Sequence, residues 1–351
     1  MTPEKVAVVG TTSWGTTLAL LLRSKGLQVF LLARTATEAQ DLAQRRENAR
    51  LPGVPIPAEL PITADGEEAL RGAVLIILAV PSQTMRQNLR QIAPALEGRT
   101  AVRPNTLLLS AAKGLELGSG KRMSEVIQEE MANGDAAIPI GALSGPNFAL
   151  EIAQGQPAST VVACRDPAAV RRAQSLLMTP SFRVYTSEDM VGVEMGGALK
   201  NIVAIGAGLA DGLGYGANAK AAFVTRGLAE IARLGVAGGA NPLTFQGLSG
   251  LGDLIATCYS PLSRNRYVGQ ELARGRPLAE VLAGMGHVAE GVSATEAALE
   301  LARRLGVEMP IATKAREVLF EGLDPRRAAA QLLGREPKDE LADLAWAPPF
   351  P

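Results

Sequence analysis

The chain has 351 residues, 47% of them apolar and 20% charged, a length that suits two domains and the composition of an ordinary globular protein. Lysine plus arginine equals aspartate plus glutamate at 35 each, which excludes a general basic field for nucleic acid or acidic lipid, so any basic site must be local. With a single histidine, His287, a histidine-based dehydrogenase, a Ser-His-Asp hydrolase or a His-ligated zinc enzyme is improbable unless that one residue serves it.

Cys164 and Cys258 are the two cysteines; they lie far apart, without metal-ligand spacing, and argue for a reducing compartment and no metal centre. The longest unbroken apolar run, Ala73 to Val80, is too short to span a bilayer, and the N-terminus lacks the charged and apolar regions of a signal peptide. The expectation is a cytoplasmic protein that engages neither membrane nor nucleic acid.

Lys5 to Gly10 (KVAVVG) is a short β-branched run ending in glycine. It is followed by an amphipathic stretch with Leu18, Leu21 and Leu22 on one side and Gly26 as a stop, and then by an apolar run from Gln28 to Leu32. This pattern predicts a βαβ opening. Its turn reads Gly10-Thr11-Thr12-Ser13-Trp14-Gly15. In a dinucleotide fingerprint the first glycine permits the turn, the second admits the pyrophosphate, and the phosphates sit on the helix N-terminus. Thr12 stands where the second glycine belongs, so the three-glycine pattern is incomplete.

At the end of the second strand an acidic residue would bond an adenosine ribose 2′-hydroxyl, whereas arginine accommodates a 2′-phosphate. The chain has Ala33-Arg34-Thr35 there and no carboxylate until Glu38, which favours NADP over NAD. After the Pro-rich region from Leu51 to Ile62, the run Ala73 to Val80 is the kind of strand covered on both faces of a parallel sheet. It ends in Pro81-Ser82-Gln83. Thr106 to Ser110 repeats the pattern and ends in Ala111-Ala112-Lys113-Gly114, and Pro139 to Leu143 ends in Ser144-Gly145-Pro146-Asn147-Phe148-Ala149. Three strand ends of this kind converge on one crevice, where Lys113 is the first basic residue to offer an anionic substrate.

Val161 to Cys164 and Phe182 to Tyr185 read as later strands enclosing a helix from Pro167 to Met178. From Met190 onward the pattern is helical. These shifts predict an α/β dinucleotide-binding domain over 1–189, an all-α substrate domain over 190–335 and a loosely ordered tail over 336–351 that carries Trp346. The helical half opens with Val191 to Asp211, whose apolar residues recur at helical spacing with few bulky side chains, so this helix is expected to be buried. Glu194, Lys200 and Asn201 lie within it. A buried ammonium costs several kcal/mol unless it is paired or its proton is labile, which marks Lys200 as a candidate for proton transfer.

Further on, Gly247-Leu248-Ser249-Gly250-Leu251-Gly252-Asp253 places a carboxylate behind a glycine-rich turn. Ser263-Arg264-Asn265-Arg266 supplies hydroxyl, guanidinium and amide donors in succession, a set that suits a phosphate. Val288-Ala289-Glu290-Gly291 follows His287 in a Gly-bounded loop consistent with closure over a ligand.

Together the GxxxWG turn, AVPS, AKGLE, SGPNFA, ALKNIVAIGAG, GLSGLGDL, SRNR and VAEG occur in order from Gly10 to Gly291, with LLGREPKDE at the close. In these motifs the chain resembles the bacterial NAD(P)-dependent sn-glycerol-3-phosphate dehydrogenases. The resemblance implies a Rossmann-type dinucleotide-binding domain followed by a C-terminal domain like that of 6-phosphogluconate dehydrogenase. It also implies interconversion of dihydroxyacetone phosphate and sn-glycerol 3-phosphate, supplying glycerophospholipid synthesis. By the same resemblance Lys200 is the proton donor and acceptor, with Lys113, Asp253, Ser263, Arg264 and Asn265 around the substrate and Gly145 and Asn147 at its phosphate. Cofactor contacts fall to Gly10, Ser13, Trp14, Gly15, Arg34, Lys113, Ala149, Arg264, Val288 and Glu290.

Thr12 and Asn147 depart from the family's pattern, the first implying altered backbone contacts to the pyrophosphate and the second a bulkier residue than usual near the phosphate. A hydroxyacid-type dehydrogenase of the same two-domain plan would need a carboxylate site in place of the phosphate site. A non-catalytic nicotinamide-binding regulator would not need the set Lys113, Lys200, Asp253 and Arg264. The apolar helical half could pair with a copy of itself as a homodimer.

Overall fold

The structure, a computed structural model, describes residues 3–96, 106–132, 138–285, 289–337 and 339–340. His287, Val288 and Trp346 lie outside the described residues. The chain divides into two compact units, Met1–Ala112 with Met123–Met190, and Lys113–Arg122 with Val191–Pro351.

The first unit alternates β1 (Lys5–Val9), α1 (Ser13–Ser24), β2 (Gln28–Leu32), α2 (Ala36–Arg45), β3 (Ile62–Thr63), α3 (Gly66–Leu70), β4 (Leu75–Leu78) and α4 (Met85–Leu96). It continues with β5 (Leu107–Ser110), α5 (Met123–Met131), β6 (Ile140–Ser144), α6 (Ala149–Ala153), β7 (Ala158–Cys164), α7 (Pro167–Leu177) and β8 (Phe182–Ser187). The eight strands form one sheet in the order β3-β2-β1-β4-β5-β6-β7-β8.

Strand side chains alternate between two cores, which is why the central strands are apolar without interruption. Leu75 and Ile77 of β4 join Val6, Val8 and Leu31 against α1, while Ile76 and Leu78 join Ala7, Val9 and Phe30 against α4. Neighbouring strands run parallel except β6 and β7. The helix between those two, α6, has five residues and is too short to carry the chain back along the sheet. Strand order reverses at β1, with β2 on one side and β4 on the other, and ligands of open α/β sheets bind at the carboxyl ends of such strands.

The second unit contains α8 (Met190–Gly212), α9 (Ala217–Ala237), α10 (Asp253–Tyr259), α11 (Arg264–Ala273), α12 (Leu278–Ala283), α13 (Glu290–Leu305), α14 (Pro310–Phe320) and α15 (Pro325–Leu333). Among the described residues α8 alone is long and apolar enough to cross a membrane, but 89% of its apolar window is buried inside the protein. Leu199, Val203 and Ala207 of this helix pack with Val224 and Ile231 of α9, Leu254 of α10 and Ala294 and Ala298 of α13.

Small residues let those neighbours come close. A Cβ at Gly208 would stand 2.0 Å from the Arg266 carbonyl oxygen, and one at Gly269 would stand 2.0 Å from that of Ile205, so α8 and α11 touch backbone to backbone. Lys113–Arg122 leaves the sheet to join this unit. Leu115 is buried in its core, and Arg122 bonds Glu194 of α8 at 2.7 Å. Glu230 of α9 is also buried, and it accepts the Ile311 and Ala312 amides at 2.8 and 2.9 Å, closing the N-terminus of α14.

Candidate active site

At the switch point the chain leaves β1 through Gly10, whose φ is +105°. A Cβ there would lie 2.7 Å from the Ala79 carbonyl oxygen at the end of β4, so only glycine fits between the two strands. Thr12 then has φ −64° and ψ 166°, ordinary extended backbone that does not require glycine. Its hydroxyl donates to the Ala79 carbonyl at 2.8 Å and accepts the Gly15 amide at 3.0 Å, so it caps α1. Ser13 and Trp14 are left as first-turn amides with no carbonyl within the helix, the feature that binds an anion. The departure at Thr12 is therefore a cap, and the residues fit a pyrophosphate.

Arg34 follows β2 with its side chain exposed, beside a recess floored by Val9, Leu32 and Ile92. Glu38, four residues on, returns to the strand end: one carboxylate oxygen accepts the Thr11 hydroxyl and the other the Arg34 amide at 3.2 Å. Ala149 begins α6, and its carbonyl accepts the Thr17 hydroxyl of α1 at 3.1 Å. Gly145 follows β6 with φ +147° in close approach to Thr160, where a Cβ would come within 3.1 Å of Cα. The Asn147 amide is turned onto β7, donating to the Ser159 carbonyl at 3.0 Å and accepting the Thr160 hydroxyl at 2.9 Å. These groups all belong to the first unit.

The second unit holds a different chemistry. The turn at Leu248–Gly252 presses on α8 at Gly196, where a Cβ would meet the Ser249 carbonyl oxygen at 2.5 Å. That contact comes one helical turn before Lys200 and sets the start of α10 beside it. Asp253, 2% exposed, places its carboxylate between two ammonium groups, Oδ1 on Lys200 Nζ and Oδ2 on Lys113 Nζ at 2.8 Å. Lys200 Nζ also donates to the Thr257 hydroxyl at 2.7 Å, and that hydroxyl donates to the Asp253 carbonyl one turn back at 2.7 Å. Burial pulls the Lys200 amine down from 10.5 to about 8; Asp253 opposes that shift and Lys113 adds to it. An amine of that kind gives up and regains a proton near neutral pH.

Asn201, next on α8, accepts the Asn265 amide at 2.8 Å, and Asn265 in turn accepts the Gly291 amide at 2.9 Å. This chain of bonds ties α8, α11 and the start of α13. Ser263 caps α11 by accepting the Arg266 amide at 3.3 Å, and the exposed Arg264 opens that helix. Glu290 opens α13, and its charge bears on Lys200. Thus Lys113, Lys200, Asp253, Ser263, Arg264, Asn265 and Glu290 share one unit. Reading the sequence missed Thr257, whose only signal is its position four residues after Asp253, and gave Asn201 no partner. Among the described residues no group of His, Cys, Asp and Glu forms a metal cluster.

A mostly parallel sheet with a glycine turn and an amide-lined helix start at its switch point defines a dinucleotide-binding protein of the doubly wound class. Residues 5–170 match the family model for the N-terminus of NAD-dependent glycerol-3-phosphate dehydrogenase, and residues 189–330 match that for its C-terminus. A glycerol-3-phosphate dehydrogenase [NAD(P)+] of Dehalococcoides mccartyi is 50% identical over 98% of this chain and 94% of its own length. One from Streptomyces avermitilis is 48% identical over 97% of this chain and 99% of its own. The crystal structure of glycerol-3-phosphate dehydrogenase from Coxiella burnetii superposes with a TM-score of 0.88 at 34% identity, covering 95% of this chain and all of that one. The chain belongs to the NAD-dependent glycerol-3-phosphate dehydrogenase family.

Proposed function

We propose that the chain catalyses the reversible NAD(P)-linked reduction of dihydroxyacetone phosphate to sn-glycerol 3-phosphate, with Lys200 as the general acid and base. The observation that carries this reading is the Lys200 amine, buried on an apolar helix and held by Asp253 and Thr257. When bound, the nicotinamide supplies the hydride to the carbonyl carbon or takes it back.

Negative charge growing on the carbonyl oxygen is met by the proton on Lys200 Nζ, and in the oxidative direction the neutral amine receives the hydroxyl proton. Asp253 fixes the amine in place and, lying also on Lys113, leaves one net positive charge for an anionic substrate. Thr257 takes a second amine hydrogen and limits its rotation. Arg264 and the first-turn amides of α11 hold the phosphate, so that binding energy far from the reacting carbon fixes its orientation. In the first unit Gly145 leaves its backbone bare of a Cβ, and Asn147 lies two residues on. The Asn147 side chain, bonded to Ser159 and Thr160, acts there by shaping that backbone.

Within the first unit, Gly10, Ser13, Trp14, Gly15, Arg34 and Ala149 are assigned to the cofactor. Arg34 favours NADP(H), with NAD(H) accepted. The same reading carries a cytoplasmic location and a role in supplying glycerophospholipid synthesis. The test is absorbance at the reduced-nicotinamide band with dihydroxyacetone phosphate and a panel of 2-oxo acids. The reading predicts oxidation with the phosphorylated triose, and turnover confined to the acids overturns it.

A further inference from the structure

Glu38 does something that capping its own helix does not explain. It sits in the first turn of α2, where the Thr35 hydroxyl already takes the Glu38 amide at 3.2 Å. In a capping box the glutamate at this position reaches back to the amide of the cap residue. Here it reaches one residue further, to the Arg34 amide, and crosses to the Thr11 hydroxyl, 27 residues away in the glycine turn. The carboxylate therefore stands between the two walls that border an adenosine ribose in this fold, the glycine turn and the end of the second strand. Each oxygen has spent one acceptor site and keeps another, since an ionised carboxylate offers about four.

The neighbourhood is built for the same ligand. Arg34 is pinned on both sides, its amide by Glu38 and its carbonyl by Gln91 at 2.9 Å, and Gln91 lines the recess floored by Val9, Leu32 and Ile92. Among the described residues the Arg34 guanidinium makes no ion pair with Glu38 or any other carboxylate. The two opposite charges are therefore separately available at one strand end.

We propose that Glu38 is a second cofactor-selecting residue, its carboxylate accepting the ribose 2′-hydroxyl of NAD(H) while Arg34 serves the 2′-phosphate of NADP(H). This rests on the dehydrogenase reading, to which it adds the means of accepting both cofactors. Reading the sequence, which met Arg34 first and set Glu38 aside as too far along, saw one half of the device.

The experiment is calorimetric titration of the purified full chain with NAD+ and with NADP+, requiring no turnover. Wild type binds both. Glu38→Gln keeps the shape and removes the charge, so NAD+ binding weakens about tenfold, the scale of a hydrogen bond to a charged group, while NADP+ binding holds or strengthens. Thr11→Val, which frees the carboxylate without removing it, shifts the ratio the same way by a smaller factor and serves if Glu38→Gln fails to fold. Arg34→Gln moves it in the opposite direction.

Equal weakening of both cofactors in Glu38→Gln makes Glu38 a support for the Arg34 backbone and overturns the proposal. So does wild type that binds NADP+ alone, which leaves the dehydrogenase reading intact. Wild type that binds neither overturns both.

Discussion

Asp253→Asn removes one negative charge from between the buried Lys200 ammonium and the partly buried Lys113 ammonium and keeps the volume. Lys200 already sits near 8 because burial outweighs the attraction of Asp253, and Lys113 pushes in the same direction as burial. An adjacent opposite charge is worth about one to three pKa units, so without it Lys200 falls to between about 5 and 7. Carbonyl reduction needs the protonated amine. Taking a two-unit fall, the protonated fraction at pH 7.5 drops from about three quarters to about 3%, roughly twenty-fivefold. The assay is the pH dependence of kcat for dihydroxyacetone phosphate reduction in both proteins. Wild-type activity should fall as pH rises through about 8, and the variant's should fall one to three units earlier, recovering part of its rate at acid pH. A variant that is slower at every pH with an unmoved midpoint would refute the reasoning and give Asp253 a purely geometric role.

Other consequences follow from the same balance of burial and charge. Glu230 is pushed by burial from 4.5 to about 7 against two backbone amides, so the folded chain holds its proton where the unfolded chain has lost it. Stability should therefore fall as pH rises from 4.5 to about 7, and Glu230→Gln should flatten that part of a Tm-against-pH curve. Lys200 has the opposite sign in proton count: its lowered pKa means stability that rises with pH between about 8 and 10.5, so Lys200→Met should remove that rise from a Tm-against-pH curve. Gly208→Val should lower Tm by several degrees and reduce kcat, because its side chain would occupy the space of the Arg266 carbonyl and push α11 off α8.

Much of the first unit was legible because its strands are buried on both faces and its turns carry glycine at places where geometry leaves no alternative. The run Gln28 to Leu32 is β2 to the residue, and Val191 to Asp211 differs from α8 by one residue at each end. The short helices α3 and α6, five residues each, gave too little periodicity to read. In the sequence Lys113 and Gly114 belong to a strand end, and nothing local in AKGLELGSGKR tells that Leu115 and Arg122 find their partners on the helical unit.

In the second unit, Lys200 and Asp253 were legible as polar residues on apolar or glycine-rich backgrounds, and Asn265 as part of the donor run Ser263-Arg264-Asn265-Arg266. Thr257 was not, because a buried threonine bonding the carbonyl four residues back looks like any helical threonine until its hydroxyl is seen under an amine. Glu38 was discounted for a similar reason: the first turn of α2 folds it back over a distance that sequence spacing makes look too long.

In the proposed reaction Lys200 moves the proton. The most direct test of that role is the turnover of Lys200→Ala with dihydroxyacetone phosphate, measured beside calorimetric binding of the nicotinamide cofactor to the same protein. Turnover should fall by at least about two orders of magnitude with cofactor binding retained. Near-normal turnover in a variant that still binds the cofactor would contradict that role.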